Sequence, residues 1–348
     1  MNRSYRFIPV AIVIPLFYLA ACERKPSPTG IALRSDSPAT TPTPVPDRSE
    51  SREEPGNDLL RARAGFKTRI VPNANYSPDG PVDQPPPKLF SVIRYPSEVG
   101  PLAAYLSPDP GDGKKHPAVI YAHGGFGGIN GFTWGRESFA PFREAGFVIF
   151  SPSWRGENEN PGQYEMFYGE VDDALGAIEH LAKIPYVDPA RIYMIGHSTG
   201  GTVTLLAAES SARLRAAFSF GGAPDLQRVD YGNTPFDRKI EQEVRLRSPI
   251  HFVKGLKTPT FYFEGDLEPN GQPSVGYIPD ARRMEALAQT THAPFRMYVV
   301  KGGTHFNIVH PICTLLAGKL LTDTGSKWNL SISAEEVSQA FSASRPRE

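Results

Sequence analysis

Apolar and polar positions along this chain fall into blocks whose period changes. Short continuous apolar runs stand at 117–122, 147–150, 192–195, 214–220, 259–263 and 295–300. Runs of that length, rich in Val, Ile, Phe and Tyr, predict strands covered on both faces. Between them, 136–145, 164–184, 281–290 and 315–321 read as helices. In 164–184 the residues Val171, Leu175, Ile178 and Leu181 share one helical face. Ahead of these blocks, 88–95 and 102–106 are strand candidates separated by the turn residues Pro96 and Gly100, which predicts an antiparallel opening hairpin. Strands alternating with helices predict an α/β fold with a mostly parallel central sheet and helices on both faces. One segment, about 225–249, breaks the alternation. It is polar and charged, with a helix candidate at 238–247, and reads as a small cap insertion over the C-terminal edge of the sheet.

The run 191–206 combines three signals in one place. A strand-like stretch, Ile192 to Ile195, enters the turn Gly196-His197-Ser198-Thr199-Gly200 and leaves it as a Leu- and Ala-rich helix. Strand, tight turn and helix with a serine at the apex is the context of a nucleophile elbow. Side chains two before or two after that serine would collide with the flanking strand and helix, which explains the glycines. The helix also aims its free N–H groups and positive dipole end at the serine.

A serine needs a base, and the base needs an acid. After the run 259–263 comes Glu264-Gly265-Asp266-Leu267-Glu268-Pro269, and after 295–300 comes Lys301-Gly302-Gly303-Thr304-His305. In a parallel sheet both loops open on the edge where the elbow opens. The chain order Ser, acid, His is that of α/β-hydrolases. His305 would take the Ser198 proton and return it to the leaving group, while a carboxylate would hold its tautomer. Glu268 and Asp266 are both candidates for that carboxylate, with Glu264 at the end of the strand. Of the other histidines, His292 and His310 lie on or beside helices, and His197 is placed to pack within the elbow. Arg155, after a strand at the same edge, could meet a substrate carboxylate or a structural partner.

Composition then bounds the rest. With 37 basic and 37 acidic residues among 348, no charge excess points to a nucleic-acid partner. Two cysteines, Cys22 and Cys313, exclude a disulfide framework. No nucleotide-binding glycine loop and no zinc-ligand spacing is present, so neither cofactor nor metal is expected. Asp172 and Asp173 are adjacent on a predicted helix and diverge by about 100°, so they do not form a catalytic pair. At the N-terminus, Arg3 and Arg6 precede an apolar run ending in Leu19-Ala20-Ala21-Cys22. This resembles the lipobox of bacterial lipoprotein signal peptides. It implies a signal peptide over 1–22, lipidation of Cys22, export, and anchoring to a bacterial membrane, at the outer membrane or cell surface. The Pro/Ser/Thr-rich stretch up to residue 60 reads as a disordered linker, leaving 61–348 as the folded domain.

The chain as a whole resembles an α/β-hydrolase. It is most similar to the catalytic domain of the prolyl oligopeptidase and dipeptidyl-peptidase group or its dienelactone-hydrolase-like relatives. The stretches that carry this are His123-Gly-Gly-Phe-Gly127, Ser153-Trp-Arg-Gly156, Glu170-Val-Asp-Asp-Ala174, Val187-Asp-Pro-Ala-Arg-Ile192, Gly196-His-Ser-Thr-Gly-Gly201 and Gly303-Thr-His305. The resemblance implies Ser198 as nucleophile, His305 as base and the Thr199 N–H as one oxyanion donor, with Gly125 or Phe126 supplying the second. The family's Gly-x-x-Asp spacing selects Glu268 as the acid, with Asp266 as the alternative. No propeller repeat is present, which favours a carboxylesterase-like hydrolase of small esters or amides over a peptidase acting on short peptides; a non-catalytic, ligand-binding surface lipoprotein is the third reading.

Overall fold

The computed structural model describes residues 58–71, 80–86, 88–131, 133, 139–229, 231–274 and 276–344. The expected signal peptide, Cys22 and the expected linker as far as residue 57 lie outside the described residues. Folded structure starts earlier than residue 61. Asp58 accepts the Arg61 N–H at 3.0 Å and caps helix α1 (Leu59–Arg63), whose Leu59 is wholly buried in the core.

Strands β1 (Ser91–Tyr95), β2 (Leu102–Leu106), β3 (His116–Ala122), β4 (Val148–Pro152), β5 (Val187–His197), β6 (Ala216–Phe220), β7 (Thr260–Leu267) and β8 (Phe295–Thr304) form one sheet. Its order is β1-β2-β4-β3-β5-β6-β7-β8. β2 runs antiparallel to β1 and β4, and every later pairing is parallel. The expected opening hairpin and the parallel body are both present.

Alternation within each central strand builds two cores. Ala118, Ile120 and Ala122 of β3, with Ile192 and Met194 of β5, face one cluster. Val119 and Tyr121, with Tyr193 and Ile195, face the other. Helices α3 (Gly169–Leu181), α4 (Thr199–Ser210) and α6 (Ile278–Gln289) cover the first face. Helices α2 (Ala140–Glu144), α7 (Val309–Leu321) and α8 (Ala334–Ala343) cover the second. Helix α8 lies beyond the elements that the apolar pattern predicts. Its start is a capping box, in which Ser333 accepts the Glu336 N–H and Glu336 accepts the Ser333 N–H.

The cap contains helix α5 (Glu241–Arg245), and two single 3₁₀ turns, Pro249–His251 and Val253–Gly255, follow it on the way to β7. It is a packed layer. Leu226, Phe236, Val244 and Leu246 belong to the same core as α3 and α4. Arg247 is fully buried, and its guanidinium donates to Glu243, to the Glu165 carbonyl and to Thr68.

Candidate active site

The elbow lies where β5 hands over to α4. Ser198 sits at φ 56°, ψ −120°, left-handed for a residue with a side chain. Such a conformation costs on the order of 1–3 kcal/mol and persists only when its surroundings enforce it. Here they do. The Ser198 N–H donates to the Phe220 carbonyl of β6 at 2.7 Å. A Cβ on Gly196 would run into the Gly200 carbonyl and the Thr204 hydroxyl, and one on Gly200 would run into the Ala122 carbonyl. Both glycines are therefore required by the close approach of backbone on either side of the serine. Every residue of α4 is buried, so the dipole end that it aims at Ser198 acts in a poorly screened setting.

His305 follows β8 and is partly exposed, with its side chain 24% accessible. Its Nδ1 lies 3.2 Å from Oε2 of Glu264, whose side chain is 4% accessible. The other oxygen of Glu264 accepts the Gly265 N–H at 3.0 Å. Glu264 is thus the carboxylate that meets the histidine, and the expected Glu268 and its alternative Asp266 are not. The reason is the length of the β7–β8 ladder. Pairing runs past Phe263 through Gly265↔Val300 to Leu267↔Thr304, so Glu264 to Leu267, read as loop, are still strand and Glu268 lies just beyond its end. Asp266 accepts the Gly302 N–H at 2.6 Å. Glu268 accepts the Ser274 hydroxyl at 2.8 Å and opens a turn back to Gln272. Both are committed to holding the strand end.

Gly221, directly after β6, completes the pair. It has φ +62°, and a Cβ there would strike the His305 ring and the Glu264 carboxylate. The sequence signal for it is the Gly221-Gly222 pair directly after a strand at the active edge, which the apolar pattern alone does not single out. His197 has the packing role expected of it. Its ring centroid is 4.7 Å from that of His305, and its Nε2–H donates to the His305 carbonyl at 3.0 Å. Serine elbow and histidine loop are therefore tied together, from the residue before Ser198 to the backbone of His305 itself.

The His-Gly-Gly-Phe loop lies beside the elbow. A Cβ on Gly124 would be 3.2 Å from Ser198 Cβ. The Thr199 hydroxyl donates to the Gly125 carbonyl at 2.8 Å. A trans peptide points its C=O and the next N–H in opposite directions, so the Phe126 N–H is turned away from Thr199. Of the two expected donors beside Thr199, this leaves Gly125 as the candidate. The Phe126 ring instead joins an aromatic wall. It meets Tyr164 at 5.2 Å and Tyr231 of the cap at 6.1 Å, and Tyr231 meets Phe167 at 6.0 Å. The Tyr231 and Tyr277 hydroxyls are 3.4 Å apart, and the Tyr277 ring lies 6.4 Å from His305.

Arg155 does not wait for a substrate. Its backbone and guanidinium make three bonds to Asp173, at 2.9, 3.0 and 2.9 Å, and a fourth to Glu165 at 3.1 Å. It is 4% exposed and its charge is fully matched. Asp172, its neighbour's sequence twin, turns away to Arg63. His292 is exposed beyond α6 and His310 is exposed on α7, both apart from this constellation.

The sequence model of the prolyl oligopeptidase family matches residues 133–310. Among curated proteins, the chain is 26% identical over 215 residues to an uncharacterized peptidase, YtmA, of Bacillus subtilis; the match spans 58% of this chain and 80% of that protein. It is 29% identical over 189 residues to dipeptidyl-peptidase 5 of Porphyromonas gingivalis, spanning 47% of this chain but only 27% of that protein. Among solved structures, an acylaminoacyl peptidase from Pyrococcus horikoshii superposes with a TM-score of 0.58 at 19% identity, covering 72% of this chain and 44% of its own. An esterase from Pyrobaculum calidifontis gives 0.52 at 18% identity, covering 66% and 84%. At these identities the superpositions establish the α/β-hydrolase fold.

Proposed function

The chain belongs to the prolyl oligopeptidase family, and from that premise we propose that it cleaves esters or amides of small substrates through an acyl-enzyme on Ser198. It is a serine hydrolase. The observation that carries the mechanism is the union of a strained Ser198 with a Glu264–His305 pair on one sheet edge. Glu264 accepts the Nδ1–H of His305 and so leaves Nε2 free to take the serine proton. Ser198 Oγ attacks the carbonyl carbon, and the negative charge on the carbonyl oxygen falls to the N–H groups of Thr199 and Gly125. His305 then protonates the leaving group. Water, deprotonated by the same imidazole, releases the acid and restores the serine.

Within that class we favour a carboxylesterase-like reaction. The aromatic wall of Phe126, Phe167, Tyr231 and Tyr277 suits an apolar acyl or alcohol group. The reading closest to it is a peptidase that acts on short peptides, favoured by the match along most of the Bacillus subtilis peptidase. The same proposal puts the enzyme outside the cytoplasm, tethered to a membrane through lipid on Cys22, on the strength of Leu19-Ala20-Ala21-Cys22. Labelling with a fluorophosphonate probe tests the catalytic reading: the wild type should label and Ser198→Ala should not. A folded wild type that neither labels nor hydrolyses short nitrophenyl esters or aminoacyl amides would leave a ligand-binding lipoprotein as the better account. The ratio of ester to amide turnover across that panel decides between esterase and peptidase.

A further inference from the structure

Beside the triad lies a second buried histidine–glutamate pair that the mechanism above does not use. His123, which opens the His-Gly-Gly-Phe loop, is 5% exposed, and its ring stacks on Trp154 at 6.2 Å between centroids. Its Nε2 is 3.0 Å from Oε2 of Glu157, which is 1% exposed. We infer that Glu157 is a positioning residue for the oxyanion loop, acting through His123 to turn the Gly125 N–H toward the substrate carbonyl. The inference rests on the acyl-enzyme reading.

His123 Nδ1 lies 3.4 Å from the Gly124 carbonyl oxygen, while Nε2 faces the Glu157 carboxylate. Both partner atoms can only accept. The ring satisfies both only by donating from both nitrogens, that is, as an imidazolium. Burial alone works against that charge, but the Glu157 carboxylate and the Gly124 carbonyl outweigh it and hold the imidazole above its ordinary value. Glu157 is itself fixed, accepting the Trp154 N–H at 2.9 Å. With the Gly124 carbonyl drawn toward the His123 ring, the Gly125 N–H at the other end of that peptide must point the opposite way.

The neighbouring residue holds the far end of the loop. Asn158 accepts the Ile129 N–H at 2.8 Å and donates to the Ile129 carbonyl at 3.1 Å. The Thr199 hydroxyl pins the middle through the Gly125 carbonyl. Glu157 is the member of this set whose charge matters. Without it a neutral imidazole has one N–H, and one of its two acceptors is released.

The test is Glu157→Gln, which keeps an acceptor of similar shape and removes the charge. In the intact chain kcat should fall about tenfold to a hundredfold with KM little changed, since a donor is misplaced and none is deleted. The preference for an oxygen ester over its thionoester counterpart should shrink by a similar factor, because sulfur makes little use of an oriented N–H. Glu157→Asp should recover part of the loss, and His123→Gln should reproduce it without adding to it in the double variant. If Glu157→Gln is too unstable to purify, His123→Gln carries the same two readouts. Unchanged kcat and thionoester ratio, with only a lowered Tm, would overturn the inference. A wild type without hydrolase activity would instead strike at the reading on which it rests.

Discussion

Two histidine–glutamate pairs flank Ser198, and they are built for opposite ends. His305 and Glu264 are 3.2 Å apart, with the imidazole 24% open and the carboxylate sealed. His123 and Glu157 are 3.0 Å apart, and both are sealed, at 6% and 1%. In the first pair one ring nitrogen is left for a moving proton. In the second, both nitrogens face acceptors and the ring can only hold still. On the proposed mechanism the same two residue types therefore supply a proton carrier on one side of the elbow and an anchor on the other. Exposure of one ring edge makes the difference.

Exchanging the carboxylates should separate the pairs by rate. Glu264→Gln is expected to lower kcat about 10⁴-fold, the scale on which loss of the acid frustrates the imidazole tautomer. Steady-state ester hydrolysis reads this against the far smaller loss expected of Glu157→Gln. A subtler wedge is Gly221→Ala. Its Cβ would press on both the His305 ring and the Glu264 carboxylate, at a φ that alanine resists. A displacement of about 1 Å at the reacting groups costs about a hundredfold, so kcat should fall by that order while the chain still folds. The same substitution leaves the His123 pair untouched.

The smallest effect concerns a carboxylate with no histidine at all. Glu170 is buried; one oxygen accepts the Glu165 N–H and the other has no hydrogen-bond partner among the described residues. Burial pushes its carboxyl up to about 8, against an ordinary 4.5. A group held above its unfolded value adds stability below that unfolded value and loses it as pH rises through about 8. Glu170→Gln is free of this dependence. The Tm of the wild type relative to that variant should therefore drop by several degrees between pH 5 and pH 9, as followed by thermal melts. A constant difference would mean that Glu170 is charged throughout, and that burial alone does not separate it from the two paired glutamates.

What could be read in the sequence tracks how local each constraint is. The elbow was legible because Gly196, Ser198 and Gly200 lie within five residues between an apolar run and a helix-like one, and both glycines answer to clashes with backbone. His305 was legible because a histidine just beyond a strand needs only the strand to be found. The sheet followed from runs such as 117–122 and 192–195, whose period survives burial on both faces. The acid was not legible in the same way. Whether Glu264 or Glu268 reaches His305 depends on how far β7 and β8 stay paired, and that is set between strands 36 residues apart in the Asp266–Gly302 contact. Arg155 was ambiguous for a like reason, since its partner Asp173 comes from the next helix. Helix α8 left a capping signal, Ser333 to Glu336, but it lies beyond the apolar runs whose alternation framed the other elements.

The central claim is that Glu264 backs His305, and it is tested most directly by measuring kcat of Glu264→Gln and Glu268→Gln side by side on one short-chain ester. The account predicts a loss of about 10⁴-fold for the first and a change of less than about threefold for the second, whose carboxylate is occupied by Ser274. Near-normal turnover in Glu264→Gln, with the large loss in Glu268→Gln, would contradict it.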